Sequence, residues 1–250
     1  MSESRTTAPM RRSWVVALVI SSIFMLAALI ALGTWQVQRL HWKDGLLETI
    51  DARTHSEPRP LAEIERILSD TGDVEYWPMR VEGRFLHEGE RHFFATHQGG
   101  SGYYVYTPLQ LDDGRILFVN RGFVPFDRKD PARRGDGQVD GEVTVEGLAR
   151  SRLDEKPSFI VPDNDPSANI FFWKDLEIMA ATAGLPDGAE VLPFFLDANA
   201  APNPGGFPMG GVTIIDLPNN HLQYAVTWYG LAAALVGVLA VWGWRSRRKA

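Results

Sequence analysis

The chain opens and closes on uncharged apolar runs, and between them the spacing of hydrophobic positions changes from a helical period to short alternating stretches. From Trp14 to Trp35 there are 22 positions without a charged residue. At about 1.5 Å rise per residue this run crosses a hydrocarbon core of roughly 30 Å. Ala225 to Trp244 is a second uncharged run of 20 residues, closed by Arg245, Arg247, Arg248 and Lys249. The pattern predicts two transmembrane helices, over 14–35 and 222–244. A cleaved signal peptide is the competing reading of the first run, but its apolar region spans only about 7 to 15 residues and ends in a small-residue cleavage site.

Past the first span, Trp35, Arg39 and Trp42 recur at i, i+4 and i+7, so they share one face if the helix continues beyond the bilayer. Leu46 to Ile50 extends that helix, and His55-Ser56-Glu57-Pro58-Arg59-Pro60 breaks it. Leu61 to Ser69 reads as a short amphipathic helix. From Tyr76 onward, alternating and aromatic runs separated by Gly and Asp predict strands. These are Met79 to Leu86, His92 to Thr96, Tyr103 to Leu109, Ile116 to Arg121 and Val143 to Arg150. Asp112-Asp113-Gly114 is a hairpin turn between the third and fourth. Arg128 to Asp140 reads as a solvated loop, Asn169 to Ala183 as a helix closed by Gly184, and Phe194 to Ala198 and Val212 to Asp216 as two further strands. The expected fold is a membrane protein in which two transmembrane α-helices flank a β-rich extracytoplasmic domain over 36–221, an antiparallel barrel or sandwich of α+β type. Short tails, 1–13 and 245–250, complete it.

Charge sharpens this layout. Residues 1–35 and 225–250 carry 7 Lys+Arg and 1 Asp+Glu, leaving 18 and 30 in the middle, so a formal net charge of −6 hides two basic ends and an acidic centre. The acidic centre argues against a nucleic-acid partner, which clustered Lys and Arg would serve. Arg5, Arg11 and Arg12 before the first span and the basic cluster after the second predict both termini on the cytoplasmic side, or facing the matrix in a mitochondrion. Trp14, Trp35, Trp42, Trp228, Trp242 and Trp244 lie at or near span ends, where indoles favour the interface. The first ten residues lack an Arg-rich amphipathic transit pattern, so a bacterial inner membrane is the expected location.

Catalytic constellations are missing from the pattern. There is no Cys, which removes thiolate nucleophiles and thiolate metal sites. Ser101 in Gly99-Gly100-Ser101-Gly102 lacks the spacing of a nucleophile elbow and reads as a turn. There is no phosphate loop or dinucleotide fingerprint. His87, His92 and His97, five apart, alternate faces on a strand and read as surface or turn residues. His221 differs. Pro218-Asn219-Asn220 looks like a helix entry, with either Asn able to cap the first turn. A His there meets the positive end of the backbone dipole, which disfavours a cationic ring and leaves a nitrogen available as acceptor or metal ligand. His221, Tyr224, Ala225 and Trp228 share one helical face. With Arg39 and Trp35 across from them, the two span ends bracket a place for an amphiphilic planar cofactor such as haem. The plainer reading, in which His221 is an interfacial residue bonded to loop backbone and the aromatics are belt anchors, stays open on these grounds alone.

Three motifs carry a resemblance. Gly33-Thr34-Trp35-Gln36-Val37-Gln38-Arg39, Val119-Asn120-Arg121-Gly122-Phe123-Val124-Pro125, and Pro218-Asn219-Asn220-His221-Leu222-Gln223-Tyr224-Ala225-Val226-Thr227-Trp228-Tyr229-Gly230 together resemble the surfeit locus protein 1 (Surf/Shy) family, over nearly the whole chain. The resemblance implies a non-enzymatic assembly factor for haem-copper cytochrome c oxidase. It implies action where haem a enters the catalytic subunit, with that subunit, membrane lipid and haem a synthase as the partners in view. It puts the proposed axial haem ligand on His221, with Trp35, Gln36 and Arg39 matching the motif after the first span and Tyr224, Trp228 and Tyr229 the motif at the second. A cofactor-free scaffold for the nascent oxidase subunit is the alternative. The mid-domain motif reads as structural: Gly122 and Pro125 mark a bend in a strand, where Arg121 pairs with an acidic neighbour.

Overall fold

The computed structural model describes residues 12–215 and 218–248. Its helices are α1 (Arg12–Thr54), α2 (Leu61–Thr71), α3 (Leu176–Thr182) and α4 (His221–Arg247). Its strands are β1 (Arg59–Pro60), β2 (Pro78–Phe85), β3 (Arg91–His97), β4 (Gly100–Gln110), β5 (Ile116–Pro125), β6 (Glu142–Ser151) and β7 (Val191–Ala198). The chain divides into two compact units, one made of its terminal stretches and one β-rich, over Ile50–Ile215.

In the terminal unit, α1 and α4 are both long and apolar enough to cross a membrane. As the periodicity predicts, α1 runs without a break well past Trp35 and stops just before the Pro-containing segment at 55–60. The two helices meet antiparallel. Thr34 Oγ1 lies 3.0 Å from Tyr229 Oη, Gln36 Oε1 lies 2.7 Å from His221 Nδ1, and Asp44 Oδ1 accepts from Asn219 Nδ2 at 2.8 Å. The contact surface is built from positions that alternate steps of four and three: Leu29, Gly33 and Gln36 on α1, and Ala225 and Ala232 on α4, are buried. Such spacing is the seam of a left-handed helix pair. Small residues on the seam let the backbones approach closely, which is how apolar helices associate where lipid removes the hydrophobic drive. Gly33 is the tightest point: a Cβ there would sit 2.8 Å from Tyr229 Cε1.

The β-rich unit is a closed barrel of five strands in the order β2-β6-β7-β5-β4, with β4 pairing back onto β2 through Arg84↔Gln110 and Phe85↔Leu109. β1 and β3 add to its rims. Four of the five junctions are antiparallel. The fifth, β5 with β7, is parallel, with Phe118 opposite Phe195. This is possible because β6 and α3 lie between those two strands in sequence, enough chain for a crossover. β5 is buried on both faces, and its apolar residues accordingly run without alternation on either side of Asn120-Arg121-Gly122. Leu117 and Val119 point into the barrel with Met79, Leu109, Val145, Phe194 and Leu196, and Ile64 of α2 packs into the same cluster. Ile116 and Phe118 point outward, where Phe195, Phe171, Leu176 and Met179 cover them.

Several local expectations are corrected. The helix expected over Asn169 to Ala183 shrinks to α3, because Asp175 caps it by accepting from Ile178 N–H at 3.0 Å. The residues before it are drawn into bridges, Ile170 with Asp165 and Phe171 with Phe93. Val212 to Ile215 forms no ladder, being held instead by Thr213 Oγ1 donating to Asp197 at 2.9 Å; Asp216 lies outside the described residues. Ser101 lies in β4, paired with Thr96, and the turn precedes it at Gln98 and Gly99. The predicted solvated loop at 128–140 contains a 3₁₀ segment, Pro131–Gly137, whose Arg134 is buried. His92, expected at the surface, is only 4% exposed.

The last two corrections share a cause, a buried ionic cluster around Glu90. Arg134 forms a bidentate pair with Glu90, Arg121 Nη1 stands 3.7 Å away, and His87 lies on the same carboxylate. Arg121 therefore pairs with an acidic neighbour, as its motif suggested. Gly122 is the bend: its φ of +127° is one that L side chains rarely adopt, and a Cβ would lie 1.9 Å from Met209 O. Burial by itself would raise the Glu90 carboxyl, but the neighbouring His87 ring, the hydrogen bonds from Arg134 and the charges of Arg134 and Arg121 hold it down at about 2. Burial pushes the His92 imidazole down to about 4; Arg134, Lys129 and Arg91 reinforce this and Glu90 opposes it.

Two predictions follow from this packing. Gly33→Leu should destabilise the helix pair by about 1–3 kcal/mol, the usual range for overpacking, and Gly33→Ala by less; thermal unfolding of the full chain in detergent micelles reads this, and an unchanged midpoint for the Leu variant would contradict the close approach. In acid, unfolded His92 binds a proton that the folded residue refuses between pH 6.5 and 4, so stability falls across that window. The Glu90 contribution, about 3 kcal/mol from a shift of this size, is complete above pH 4.5 and is lost toward pH 2. His92→Phe should flatten the upper limb of a stability–pH curve, whereas Glu90→Gln should lower stability already at neutral pH by leaving Arg134 buried without its counter-charge.

Candidate functional site

The site is built where α4 begins. Asn220 is the residue preceding the helix and makes no side-chain cap; Asn219 Oδ1 instead accepts from the His221 backbone N–H at 3.4 Å, while its amide reaches Asp44. The Asn-Asn pair therefore ties the helix entry to α1 as well as starting the turn. His221 is half-buried and turns Nδ1 toward Gln36, a residue 9% exposed on the α1 seam. An amide oxygen only accepts, so the 2.7 Å contact makes His221 Nδ1 the donor, and in the neutral ring Nε2 is then the nitrogen with the lone pair. Among the described residues no hydrogen bond is made to Nε2.

The residues around this pair are arranged unequally. At about 100° per helical residue, Arg39 lies about 60° and Trp35 about 100° to one side of the Gln36 direction on α1. Tyr224 lies about 60° from His221 in the same rotational sense on α4. In an antiparallel pair, equal rotations from the seam fall on the same side of both helices, so Trp35, Arg39 and Tyr224 occupy one flank. That flank is open: Trp35 is 50% and Tyr224 54% exposed, and Arg39 is exposed with its guanidinium 4.3 Å over the Trp42 ring. On the opposite flank Tyr229 lies against Gly33 and is hydrogen-bonded to Thr34. Trp228 is half-buried two turns along α4. Of the residues expected to form the site, Trp35, Arg39 and Tyr224 thus share a flank with His221, and Trp228 belongs mainly to the seam. The expectation did not count Gln36 in the site; its signal was a polar residue at a seam position in a motif otherwise read for its aromatics.

The donor set suits haem. It offers one imidazole nitrogen without a hydrogen-bond partner among the described residues, aromatic faces beside it, and a cation on the side of the long α1 extension. The described residues contain no cluster of three or more His, Cys, Asp or Glu side chains able to hold a bare metal ion.

Comparison with known proteins agrees with the motifs. The chain matches the SURF1 family over residues 23–233. Surfeit locus protein 1 of Homo sapiens is 39% identical over 238 residues, covering 88% of this chain and 74% of the human protein. The Rattus norvegicus protein of the same name is 38% identical over 228 residues, covering 85% and 71%. A SURF1-like protein of Drosophila melanogaster is 32% identical over 240 residues, covering 88% and 74%. With a family match across most of its length and relatives of this identity along both helices and the barrel, the chain is a member of the SURF1 family.

Proposed function

We propose that this protein is an assembly factor for haem-copper cytochrome c oxidase that binds haem a at His221 and assists its insertion into the catalytic subunit. Membership of the SURF1 family supports the oxidase role. The observation that carries the haem assignment is the Gln36–His221 contact, which engages Nδ1 and leaves the other ring nitrogen, Nε2, free for a ligand beside an exposed aromatic and cationic flank. In this reading His221 supplies the axial nitrogen, Tyr224 and Trp35 shield the apolar ring edges with Trp228 below them, and Arg39 meets a propionate. Bound haem a would bring only its iron and its amphiphilic ring, and no bond in it need change, so the role is that of a chaperone rather than an enzyme. The partners are the catalytic subunit, membrane lipid and haem a synthase as the source. The basic tails support both termini on the cytoplasmic face of a bacterial inner membrane, with the barrel on the outer side.

Purified full-length protein made alongside haem a synthesis should show a Soret and an α band of haem a that His221→Ala abolishes or shifts. Stoichiometric haem with an unchanged spectrum in that variant would remove His221 as the ligand. A scaffold role without cofactor is the second reading, favoured by exposed apolar side chains on the β-rich unit, Phe159 at 93% and Ile160 at 77%. It expects colourless protein under haem-replete conditions and an association with the catalytic subunit that persists when haem a synthesis is removed.

A further inference from the structure

We infer that Gln36 is the positioning residue of this site: its side-chain carbonyl holds His221 in the Nδ1–H tautomer and so makes Nε2, and not Nδ1, the ligating nitrogen. The consequence for a bound metal rests on the haem reading above; the tautomer itself does not. The argument begins with burial. Gln36 is almost fully shielded on the seam it shares with Gly33 and Ala225, and its carbonyl needs a donor there. His221 Nδ1, 2.7 Å away, is that donor. Two further cross-helix hydrogen bonds bracket the pair, Thr34–Tyr229 toward one end and Asp44–Asn219 toward the other, so the register that brings Gln36 to His221 is set on both sides. The ring is also restrained from behind, because the His221 backbone N–H is tied to Asn219.

A ring nitrogen that donates to a fixed acceptor orients the imidazole and raises the basicity of the other nitrogen, as the outer partners of metal-bound histidines do. Gln36 would therefore act on a ligand without touching it. Carbonyl and carboxylate acceptors differ in this respect. Gln36→Glu keeps an acceptor of the same length and strengthens the pull on the Nδ1 proton, making His221 a stronger donor. Gln36→Leu keeps the volume and removes the acceptor.

The test uses the full chain in lipid nanodiscs, labelled with ¹⁵N-histidine, without added haem. A long-range ¹H–¹⁵N spectrum, with the His221 signals assigned by their loss in His221→Ala, should show the proton on Nδ1 in the wild type and in Gln36→Glu, and on Nε2 or exchanging between the two in Gln36→Leu. A wild-type proton on Nε2, or a tautomer that Gln36→Leu leaves unchanged in a folded protein, overturns the inference. Haem titration gives a second readout: Gln36→Leu should weaken binding by about 10- to 100-fold, the usual loss on removing such a partner, with recovery in Gln36→Glu and a lower midpoint potential there. Equal loss in the Leu and Glu variants would make Gln36 a packing residue only. If His221→Ala leaves haem affinity unchanged, the ligand reading fails while the tautomer result stands on its own spectrum.

Discussion

A polar side chain turned toward a neighbouring helix in apolar surroundings has to find a partner there, and the pairing of α1 with α4 is organised by that constraint. Two helices faced only with Leu, Val and Ala can slide or rotate past one another with little change in energy, because lipid and side chain offer similar contacts. Gln36 removes that freedom. Its carbonyl meets His221 at one register and one rotation, and the small residues Gly33, Ala225 and Ala232 permit the approach that this requires. A hydrogen bond between such helices contributes on the order of 1 kcal/mol net, so its effect is on specificity more than on stability. An unpaired amide in the same place costs more than the bond returns. The position of His221 is thus a consequence of how the helices must pack, and its chemistry comes with that position.

The same logic, with charges in place of amides, governs the β-rich unit. Closing five strands leaves charged side chains inside, and two buried carboxylates gather partners around them. Glu90 takes Arg134 and Arg121, and Asp197 takes Asn120 Nδ2 at 3.0 Å, Arg150 at 2.8 Å and Thr213 at 2.9 Å. These clusters join elements far apart in sequence: the 3₁₀ segment at 131–137 to the entry of β3, and the segment after β7 to the barrel wall. Burying paired charges adds little to stability against an apolar alternative, but losing one partner is costly. The motif around Arg121 accordingly serves the fold, and the proposed ligand chemistry belongs to the other unit.

This division explains what could be read from the sequence. The two membrane-length helices, the continuation of α1 past Trp35, α2 and most strand positions follow from local period, since each rests on contacts within a few residues or on a simple apolar alternation. What could not be read depended on distant partners. Asn169 to Lys174 adjoins the helix without a Gly or Pro to divide them, yet Phe171 is taken up by β3 and Asp175 restarts the chain as a cap. Arg134 sits in a stretch of Asp, Arg, Pro and Gly that reads as solvated, and only Glu90, forty-four positions earlier, explains its burial. β1, two residues long, carries no pattern at all. At the candidate site His221 was legible because its helix entry is local. Gln36 was not singled out, because a lone polar residue just outside a span looks interfacial until its partner is seen.

The shape of the site bears on what a protein of this kind can do with a ligand. Tyr229 against Gly33 closes one side of the helix pair, and Trp35, Arg39 and Tyr224 leave the other side open. On the proposed reading, a ligand held there would have one strong contact, the His221 nitrogen, and its remaining contacts would be with half-exposed aromatics and an exposed guanidinium over Trp42. A resident cofactor is normally enclosed, most of its surface buried in a pocket. A carrier has a different requirement, since the acceptor must reach the ligand before the donor has let go, and affinity beyond what capture needs slows release. One oriented nitrogen on an open flank meets both conditions. On the same reading, orientation by Gln36 would set how the ligand is presented, and the open side would leave the approach free for an acceptor.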